Sequence, residues 1–423
     1  MPISIIFDKS TFQSLNSEEI FFLQRYYLVT IAPVLLLEVL ADLKKNRKDF
    51  DSQPRVIDFA NKLLQLNPAF TTYYKYLINL SLLGNQIQMD GRPLLSGGEA
   101  VTAQDGKKGY IFKQPLEEKV LHRWRDGQFT EAEEFLAEQW RDATTKKNVL
   151  EAMRQIFSAT RKFDSLAELN ESIEEYLNNP QYQVAVLVGM SQIFSVDHTV
   201  ASKVFYRFEQ GNIISIKNFS PYAFYCYKVY LFFELGILNG LISTRSTNQV
   251  DLEYMYYLPF CKAFSSSDKF HESIIHFFLE HGQDFIRGSE LKADLKNICT
   301  SRNLLTGEER DKWIEKHKNH PPEDPNSITY RIWKKYARPS VFSENVASRK
   351  ISNETQKKII DKIHKYKSSP TDRTDRGPFD DSKTDFIIRE RWISPTDYCP
   401  CGSGRIFKDC HLSEVLKSQQ SGC

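Results

Sequence analysis

Hydrophobic and polar positions near the start of the chain follow two different periods. The run ISIIF, residues 3–7, is β-branched and apolar and stops at a carboxylate, as a buried strand does. The next segment begins at Asn16 or Ser17 with acidic residues in its first turn, which predicts a helix. LVTIA, residues 28–32, predicts a second strand, and Pro33 begins a helix where its missing N–H costs no hydrogen bond. This βαβα order predicts an α/β fold with parallel strands.

The pattern changes twice farther along the chain. Residues 54–247 combine dense charge with a 3.6-residue apolar period, which predicts mostly helix. A helix over 250–260 and a strand over 261–268 then restore the α/β character. From about residue 305 the apolar stripe disappears. Stretches such as HKNHPPEDPNS predict exposed linkers on either side of a markedly basic segment, residues 331–367.

Length and composition predict two or three folded units, since the chain has 423 residues of which 41% are hydrophobic. The formal net charge is only +2, so basic surfaces for nucleic acid must be local. The N-terminus has no basic segment leading into a long apolar run, so no signal peptide is expected. The longest apolar run, residues 28–40, contains Pro33 and Glu38. We therefore expect no membrane partner and a cytoplasmic location.

The cysteines gather near the end of the chain. There are seven, and an odd count with three near residue 400 argues for a reducing compartment and a metal site. In YCPCGSGRIFKDCH, proline and glycines permit a tight turn that directs Cys399 and Cys401 at one ion. The chain can then fold back so that Cys410 and His411 complete a set of four metal ligands. Three thiolates and one imidazole suit structural Zn²⁺ and leave no open position for catalysis.

The stretch CPCGSGRIFKDCH resembles the SEC-C motif, a small zinc module named for the C-terminus of a bacterial protein-translocation motor. The resemblance implies Zn²⁺ on the three cysteines and the histidine named above. It also implies a partner surface formed by Arg405, Phe407 and Lys408. In the motor such a module contacts a chaperone and the ribosome, and elsewhere it is attached to many unrelated proteins. The motif therefore predicts an adaptor and leaves the activity to the rest of the chain.

Acidic residues recur where predicted strands end or helices begin. Asp8 ends the first strand, and Glu38 lies in the helix after the second. Asp251 opens the late helix, and Asp268 ends the strand that follows it. Because the carboxyl ends of parallel strands share one edge of a sheet, we expect these side chains to converge. Clustered carboxylates select Mg²⁺ or Mn²⁺, which polarises a phosphodiester and activates bound water.

Each of these acids also has an ordinary structural explanation. Asp8 and Asp251 occupy positions typical of helix caps, and Asp268 follows three serines as a turn residue does. Glu38 is harder to explain in this way, because a carboxylate in the apolar run LLLEVL needs a partner.

Three segments together, IIFDKSTFQSL, APVLLLEVLADL and DLEYMYYLPFCKAFSSSDK, resemble the PIN nuclease superfamily. The resemblance implies a PIN-like parallel sheet flanked by helices. It implies metal ligation by the four acids above, support of the site by Ser267 and phosphate contact by Lys269. Lys9 and Ser10 stand where the family usually has a small polar pair after the first acid.

The implied organisation is a split catalytic domain with a large α-helical insertion, a linker and a small C-terminal zinc module. The predicted ranges are 1–53 and 221–300 for the two PIN-like halves, 54–220 for the insertion, 301–394 for the basic and polar linker region, and 395–423 for the zinc module.

These observations predict a metal-dependent endoribonuclease in which bound Mg²⁺ or Mn²⁺ promotes phosphodiester hydrolysis. The basic segment would hold RNA phosphates without reading sequence. The zinc module would recruit the enzyme to a ribonucleoprotein, such as the ribosome, or to a protein partner. A bacterial toxin or defence role is the family-level expectation. The alternative is a non-catalytic PIN-like adaptor whose carboxylates only cap helices. Such an adaptor would bind RNA or a protein partner through the insertion and the zinc module.

Overall fold

The structure is a computed structural model that describes residues 3–44, 53–102, 108–143, 162–211, 215–245, 248–336, 386–389 and 406–410. The strands, in chain order, are β1 Ile3–Phe7, β2 Tyr27–Ile31, β3 Ala69–Phe70, β4 Gly98–Thr102, β5 Lys108–Phe112, β6 Ala263–Ser266, β7 Asp284–Arg287 and β8 Phe386–Arg389.

Helices make up most of the remaining described chain. They are α1 Lys9–Ser14, α2 Ser17–Tyr26, α3 Pro33–Leu40, α4 Gln53–Gln65, α5 Tyr74–Leu82, α6 Leu116–Arg125, α7 Glu131–Ala143, α8 Leu166–Asn178, α9 Gln183–Ile193, α10 His198–Gln210, α11 Ile216–Phe219, α12 Pro221–Leu238, α13 Asn248–Met255, α14 Lys269–Ile274, α15 Gly288–Asn303, α16 Gly307–Lys316 and α17 Ile328–Tyr336. Short 3₁₀ helices cover Ala41–Lys44, Pro180–Tyr182, Leu258–Phe260, Ile275–Phe277 and Phe407–Asp409.

A five-stranded parallel sheet in the order β3-β2-β1-β6-β7 forms the centre of the fold. β1 is its middle strand, and Ile5 is paired with Val29 on one side and with Ala263 on the other. Every residue of β1 and β6 is buried, as expected for strands with helices on both faces. The predicted parallel α/β fold is confirmed at this level.

The predicted helix starts are also confirmed. Asn16 caps α2 in a capping box with Glu19, so two main-chain N–H groups at the helix start are satisfied by side chains. Pro33 occupies the first turn of α3, and the two strands that precede these helices pair in parallel. Local sequence signals therefore predict where the helices α2 and α3 begin.

The segment predicted as a helical insertion returns to the central sheet near its start. β3 pairs in parallel with β2, with Thr30 opposite Ala69, so residues 69–70 complete the sheet. Farther on, β4 and β5 form an antiparallel pair, and β8 adds to it in parallel. The long range 54–220 thus contributes one strand to the sheet besides its helices.

The aromatic helix α12 supports the element that carries Asp251. Most of α12 is buried, as its Tyr- and Phe-rich sequence predicts for a core helix. Tyr222 donates to the main-chain oxygen of Tyr256 at 3.0 Å, and Tyr225 donates to that of Met255 at 2.8 Å. These two hydrogen bonds fix the C-terminal end of α13 against the core.

The expectation of an exposed linker at HKNHPPEDPNS is wrong at both ends of that stretch. His317 and Ser327 are buried. Arg25 donates to the main-chain oxygen of His317, and the Asp294 carboxylate accepts from the Ser327 hydroxyl and from the first N–H groups of α17. These tertiary hydrogen bonds attach α16 and α17 to the sheet domain. Of the helices that the structure describes, none has the length and apolar character needed to cross a membrane.

Candidate active site at the carboxyl edge of the sheet

Asp8 and Asp268 lie at the same edge of the central sheet. Asp8 directly follows β1, and its N–H continues the ladder by donating to the Ser265 main-chain oxygen of β6 at 3.0 Å. Asp268 lies two residues beyond the end of β6, the parallel neighbour of β1. Each also caps the helix that follows, since Asp8 Oδ1 accepts from Thr11 N–H at 2.8 Å and Asp268 Oδ1 from Phe270 N–H at 2.7 Å. Hydrogen bonds to the helices that follow therefore restrain the orientations of both carboxylates.

The Ser266 hydroxyl connects these two acids. Its oxygen lies 2.7 Å from Asp8 Oδ2, accepts from Asp268 N–H at 2.9 Å, and lies 2.7 Å from His271 Nδ1. Asp8 Oδ2 accepts a further hydrogen bond from the Ser10 hydroxyl at 2.7 Å. Asp8 is 3% exposed and both of its oxygens are used, so its position is set by three separate donors.

His271 extends the network to α13. Its Nε2 donates to the main-chain oxygen of Asp251 at 2.7 Å. The ring is fully buried and stands perpendicular to the rings of Tyr254 and Phe264. Burial lowers the pKa of His271, while the charge of Asp8 opposes that change. His271 therefore joins the start of α14 to the main chain of α13.

Asp251 is buried without a partner for one of its oxygens. No group among the described residues makes a hydrogen bond to Asp251 Oδ2. Burial, followed by the nearby charges of the other three acids, raises the pKa of this carboxyl from 3.8 to about 8. We call these four acids, Asp8, Glu38, Asp251 and Asp268, the carboxylate cluster. The structure thus places the other three predicted acids within electrostatic range of Asp251.

Glu38 has a hydrogen-bond partner for one of its carboxylate oxygens. Its Oε2 accepts from the Tyr254 hydroxyl at 2.8 Å. Burial raises the pKa of Glu38, whereas the Lys9 ammonium and the Tyr254 hydrogen bond act in the opposite direction. Lys9 is itself buried, and its ammonium lies 2.7 Å from Asp42 Oδ2. The partner expected for a carboxylate in the run LLLEVL is therefore a tyrosine from α13.

The donors of the cluster are of the kind that binds a divalent cation, but they are not placed as a finished site. Within the described ranges, no three His, Cys, Asp or Glu side chains stand close enough together to hold a metal ion as they are placed. The donors are nevertheless all carboxylate oxygens, and Asp251 Oδ2 is buried and unpaired. Mg²⁺ keeps several water ligands and needs only one or two carboxylates. Among the described residues, then, the chemistry of the donors suits a hydrated cation, but their placement forms no ready-made metal site.

The other predicted site residues lie at the rim of the cluster. Ser267 is exposed, with its hydroxyl 3.5 Å from Thr11 Oγ1. Lys269 is exposed at the first position of α14. Glu253, close to Asp251 in sequence, faces elsewhere, because Lys75 and Tyr74 act on its carboxyl, whose pKa burial raises to about 7.

Four side chains that shape the site were not among the sequence-based candidates. They are Lys9, Asp42, Ser266 and His271. Lys9 was visible as a departure from the PIN pattern after the first acid, but its partner Asp42 depends on how α1 packs against α3. Ser266 and His271 lie within SSSDKFHES, where only the serine-rich composition stood out. Their roles follow from the pairing of β1 with β6, which local sequence does not encode.

Most of the predicted zinc ligands fall outside the described residues. Cys399, Cys401 and His411 belong to that group. Cys410 is described and half-buried, and it directly follows the 3₁₀ helix Phe407–Asp409. Its N–H donates to the Phe407 main-chain oxygen at 3.2 Å.

Comparison with known proteins identifies only the tail. A family model for the SEC-C motif matches residues 396–413, a range that contains all four predicted zinc ligands. Neither a curated protein nor a solved structure matches the chain. The SEC-C motif is associated with zinc binding, and it carries no information about the carboxylate cluster.

Replacing Ser266 with alanine tests the hydroxyl that joins the cluster. The change leaves Asp268 N–H and His271 Nδ1 without their partner in a buried place, so the free energy of unfolding should fall by about 1–3 kcal/mol. Urea unfolding of the purified chain measures it. The adjacent, exposed Ser267→Ala variant is the matched control and should change stability by about 0.5 kcal/mol or less. Equal losses in both variants would contradict the role given to Ser266.

The raised pKa of Asp251 should make the free energy of unfolding decrease as the pH rises. Between about pH 4 and about pH 8 the folded chain keeps a proton on Asp251 that the unfolded chain releases. Stability should therefore fall as the pH rises through this window, by up to about 1.4 kcal/mol per pH unit from this group, and level off above it.

The comparison variant is Asp251→Asn, which cannot ionise. In metal-free buffer, its stability relative to the unsubstituted chain should increase from pH 4 to pH 8 in chemical unfolding experiments. Asp311→Asn, at an exposed position on α16, should show no such trend. A difference between Asp251→Asn and the unsubstituted chain that stays constant with pH would contradict the raised pKa.

Proposed function

We propose that the chain is a metal-dependent endoribonuclease that hydrolyses phosphodiester bonds at the carboxylate cluster. The observation that carries this proposal is the buried carboxyl of Asp251: no described residue makes a hydrogen bond to its Oδ2, and burial, followed by the charges of Asp268, Glu38 and Asp8, raises its pKa to about 8. Buried carboxylates that repel one another are stabilised by a cation, and a binding site for a hard cation is the arrangement that such oxygens serve best. A purely structural role leaves the unpaired oxygen of Asp251 unexplained.

The chain's own residues would each make a definite contribution. Asp251 and Asp268 offer carboxylate oxygens to a divalent cation, and Asp8, fixed by its three donors, contributes negative charge at a set position. When bound, the cation supplies Lewis acidity and lowers the pKa of a coordinated water. Lys269, exposed at the rim, attracts the substrate phosphate.

RNA is the proposed substrate class, and the resemblance to PIN nucleases supports it. That resemblance lies in the segments around Asp8, Glu38 and Asp268. The position of β1 in the middle of a parallel sheet agrees with it, because the first acid then stands beside the acid that follows β6. A role as a bacterial toxin or defence effector is part of the same proposal.

The zinc module is proposed to deliver this activity to a partner. The SEC-C match at residues 396–413 supports zinc binding by Cys399, Cys401, Cys410 and His411. A set of four protein ligands is closed, so the ion orders the tail and takes no part in hydrolysis. The ribosome or a protein that contacts this module is the proposed target. The basic segment from residue 331 onward, described only as far as residue 336, is proposed to hold RNA phosphates.

A specific observation favours the alternative, a non-catalytic adaptor. Asp8 and Asp268 both cap helices, and within the described residues no ready-made metal-binding group is present. An adaptor of this kind would bind RNA or a protein partner and would cleave nothing. The two proposals differ in one measurable property, which is divalent-metal-dependent hydrolysis.

The decisive measurement is cleavage of RNA by the purified full-length chain with Mn²⁺. We expect cleavage that stops on chelation and returns with added Mn²⁺. Asp251→Asn removes one charge at nearly constant shape and should lower the rate at least about 100-fold. Glu253→Gln replaces a partly buried acid of the same helix, outside the cluster, and should cleave like the unsubstituted chain. Cleavage by Asp251→Asn at the unsubstituted rate would overturn the proposal, and RNA binding without any cleavage would favour the adaptor.

Zinc content tests the proposed role of the tail. Elemental analysis of the purified chain should give about one Zn²⁺ per molecule, and Cys399→Ser combined with Cys401→Ser should remove it. Cys423→Ser, a cysteine outside the proposed set, should keep the ion. Both variants should still cleave naked RNA. Zinc retained after loss of Cys399 and Cys401 would contradict the proposed ligands, and loss of cleavage together with zinc would place the tail in the catalytic fold.

A further inference from the structure

A strand from the tail joins the antiparallel pair formed by β4 and β5. β8 lies parallel to β5 over four positions, from Gly109 opposite Phe386 to Phe112 opposite Arg389. β4 and β5 pair over five positions, so the three strands form a small sheet of their own. A sheet of so few short strands needs a buried apolar face to be stable. The residues that cover this sheet therefore decide whether the tail is held there.

Apolar side chains of this small sheet are buried apart from the main core. Val101, Ile111 and Phe112 are each 6% exposed, yet none of them belongs to the main hydrophobic core of the described residues. Phe407 of the tail, in the 3₁₀ helix before Cys410, is 9% exposed and also lies outside that core. Apolar residues buried away from a main core typically belong to a smaller satellite core. The small sheet and the tail both contribute residues with this kind of burial.

The length of chain after β8 limits where the zinc module can lie. β8 ends at Arg389, and the SEC-C match begins at residue 396. A fully extended chain advances at most about 3.6 Å per residue, so the distance between these two points is at most about 25 Å. The module that contains Phe407 therefore begins beside the small sheet.

The β4–β5 pair is itself attached at the edge of the central sheet. Ser96, two residues before β4, donates its N–H to the main-chain oxygen of Phe70 at 2.8 Å. Thr72 N–H donates to the main-chain oxygen of Leu94, also at 2.8 Å. Phe70 ends β3, which runs parallel to the other strands, so these bonds lie at the carboxyl edge that carries Asp8. The small sheet therefore starts from the same edge as the carboxylate cluster.

We propose that the β4–β5 pair is the docking site of the zinc module, which is held there through β8 and Phe407. This inference rests on the proposed zinc binding and does not depend on RNA cleavage. The Phe407 ring is then used within the chain, while Lys408 and Asp409 beside it are exposed to solvent. A partner that contacts the module is thereby brought beside the carboxyl edge of the central sheet.

The competing explanation is that Phe407 packs only inside its own module. The module would then be joined to the body by β8 alone, and its folding would not affect the β4–β5 pair. Docking predicts the opposite, because the small sheet and the module then bury apolar surface against each other. Loss of Phe407 or of zinc should in that case loosen the hydrogen bonds of β5.

The experiment is hydrogen–deuterium exchange of the zinc-loaded full-length chain, with the amides of β5 as the readout. Ile387→Pro combined with Ile388→Pro should speed exchange in β5 at least about tenfold, because proline cannot donate to the ladder and disrupts β8. Phe407→Ala is the second variant. It replaces a residue outside the proposed ligand set, so it should keep its Zn²⁺ and still speed exchange in β5 at least about threefold.

Lys408→Ala is the matched control, since Lys408 lies next to Phe407 in the same 3₁₀ helix and is exposed. It should leave both the zinc content and the exchange of β5 unchanged. Exchange in β6, inside the central sheet, should stay the same in every variant. If Phe407→Ala loses zinc, Cys399→Ser combined with Cys401→Ser gives the deciding comparison. Exchange in β5 that rises on zinc loss supports docking, and exchange that stays the same overturns it.

Other results would overturn the inference in different ways. Unchanged exchange of β5 in the proline variant would remove β8 from the docking site. Faster exchange in that variant alone, with zinc and slow exchange both kept in Phe407→Ala, would leave the module undocked. A dimer in light scattering, with β5 exchange that speeds up on dilution, would assign β8 to a second copy of the chain. Zinc absent from the unsubstituted chain would overturn the zinc proposal as well, and none of these results bears on cleavage at the carboxylate cluster.

Discussion

The carboxylate cluster depends on one buried hydroxyl group, that of Ser266. It is near Asp8 Oδ2 and His271 Nδ1, and it accepts a hydrogen bond from Asp268 N–H. Through His271 the same network reaches the main chain at Asp251. Three segments from distant parts of the sequence are thereby held in one place. Only the parallel pairing of β1 with β6 brings Ser266 to this position, so the site and the sheet form together.

The four acids of the cluster are restrained to different degrees. Both oxygens of Asp8 and one oxygen each of Glu38 and Asp268 accept hydrogen bonds from the protein, so these groups are oriented in advance. Asp251 has a buried oxygen that accepts no hydrogen bond from the described residues, and burial raises the pKa of its carboxyl to about 8. Three acids with set orientations therefore surround one acid with an unsatisfied oxygen, and on the proposed function this fixed arrangement of charges is what a preorganised catalytic site requires.

The predictions made from sequence are confirmed where they depend on a short stretch of neighbouring residues. The run ending at Asp8, the cap at Asn16 and the start of α3 at Pro33 follow from periodicity and capping chemistry, and the structure confirms them. The two-residue strand β3 gave no such signal, because its stability comes from pairing with β2. The partners of Lys9 and His271 are likewise set by tertiary packing. Asp8 and Asp268 could be chosen from sequence because strand ends are local features, whereas the hydrogen bonds that orient these acids could not be predicted.

The separation of β1 from β6 has a consequence for how the protein is made. About 255 residues lie between these two neighbouring strands, so one side of β1 has no partner until the second half of the chain has been synthesised. At ordinary rates of translation this interval lasts roughly 13–50 s. During that time Asp8 has neither Ser266 nor Asp268 beside it. A nascent chain on the ribosome therefore contains no assembled carboxylate cluster, and it acquires one only after the helical middle of the protein has emerged.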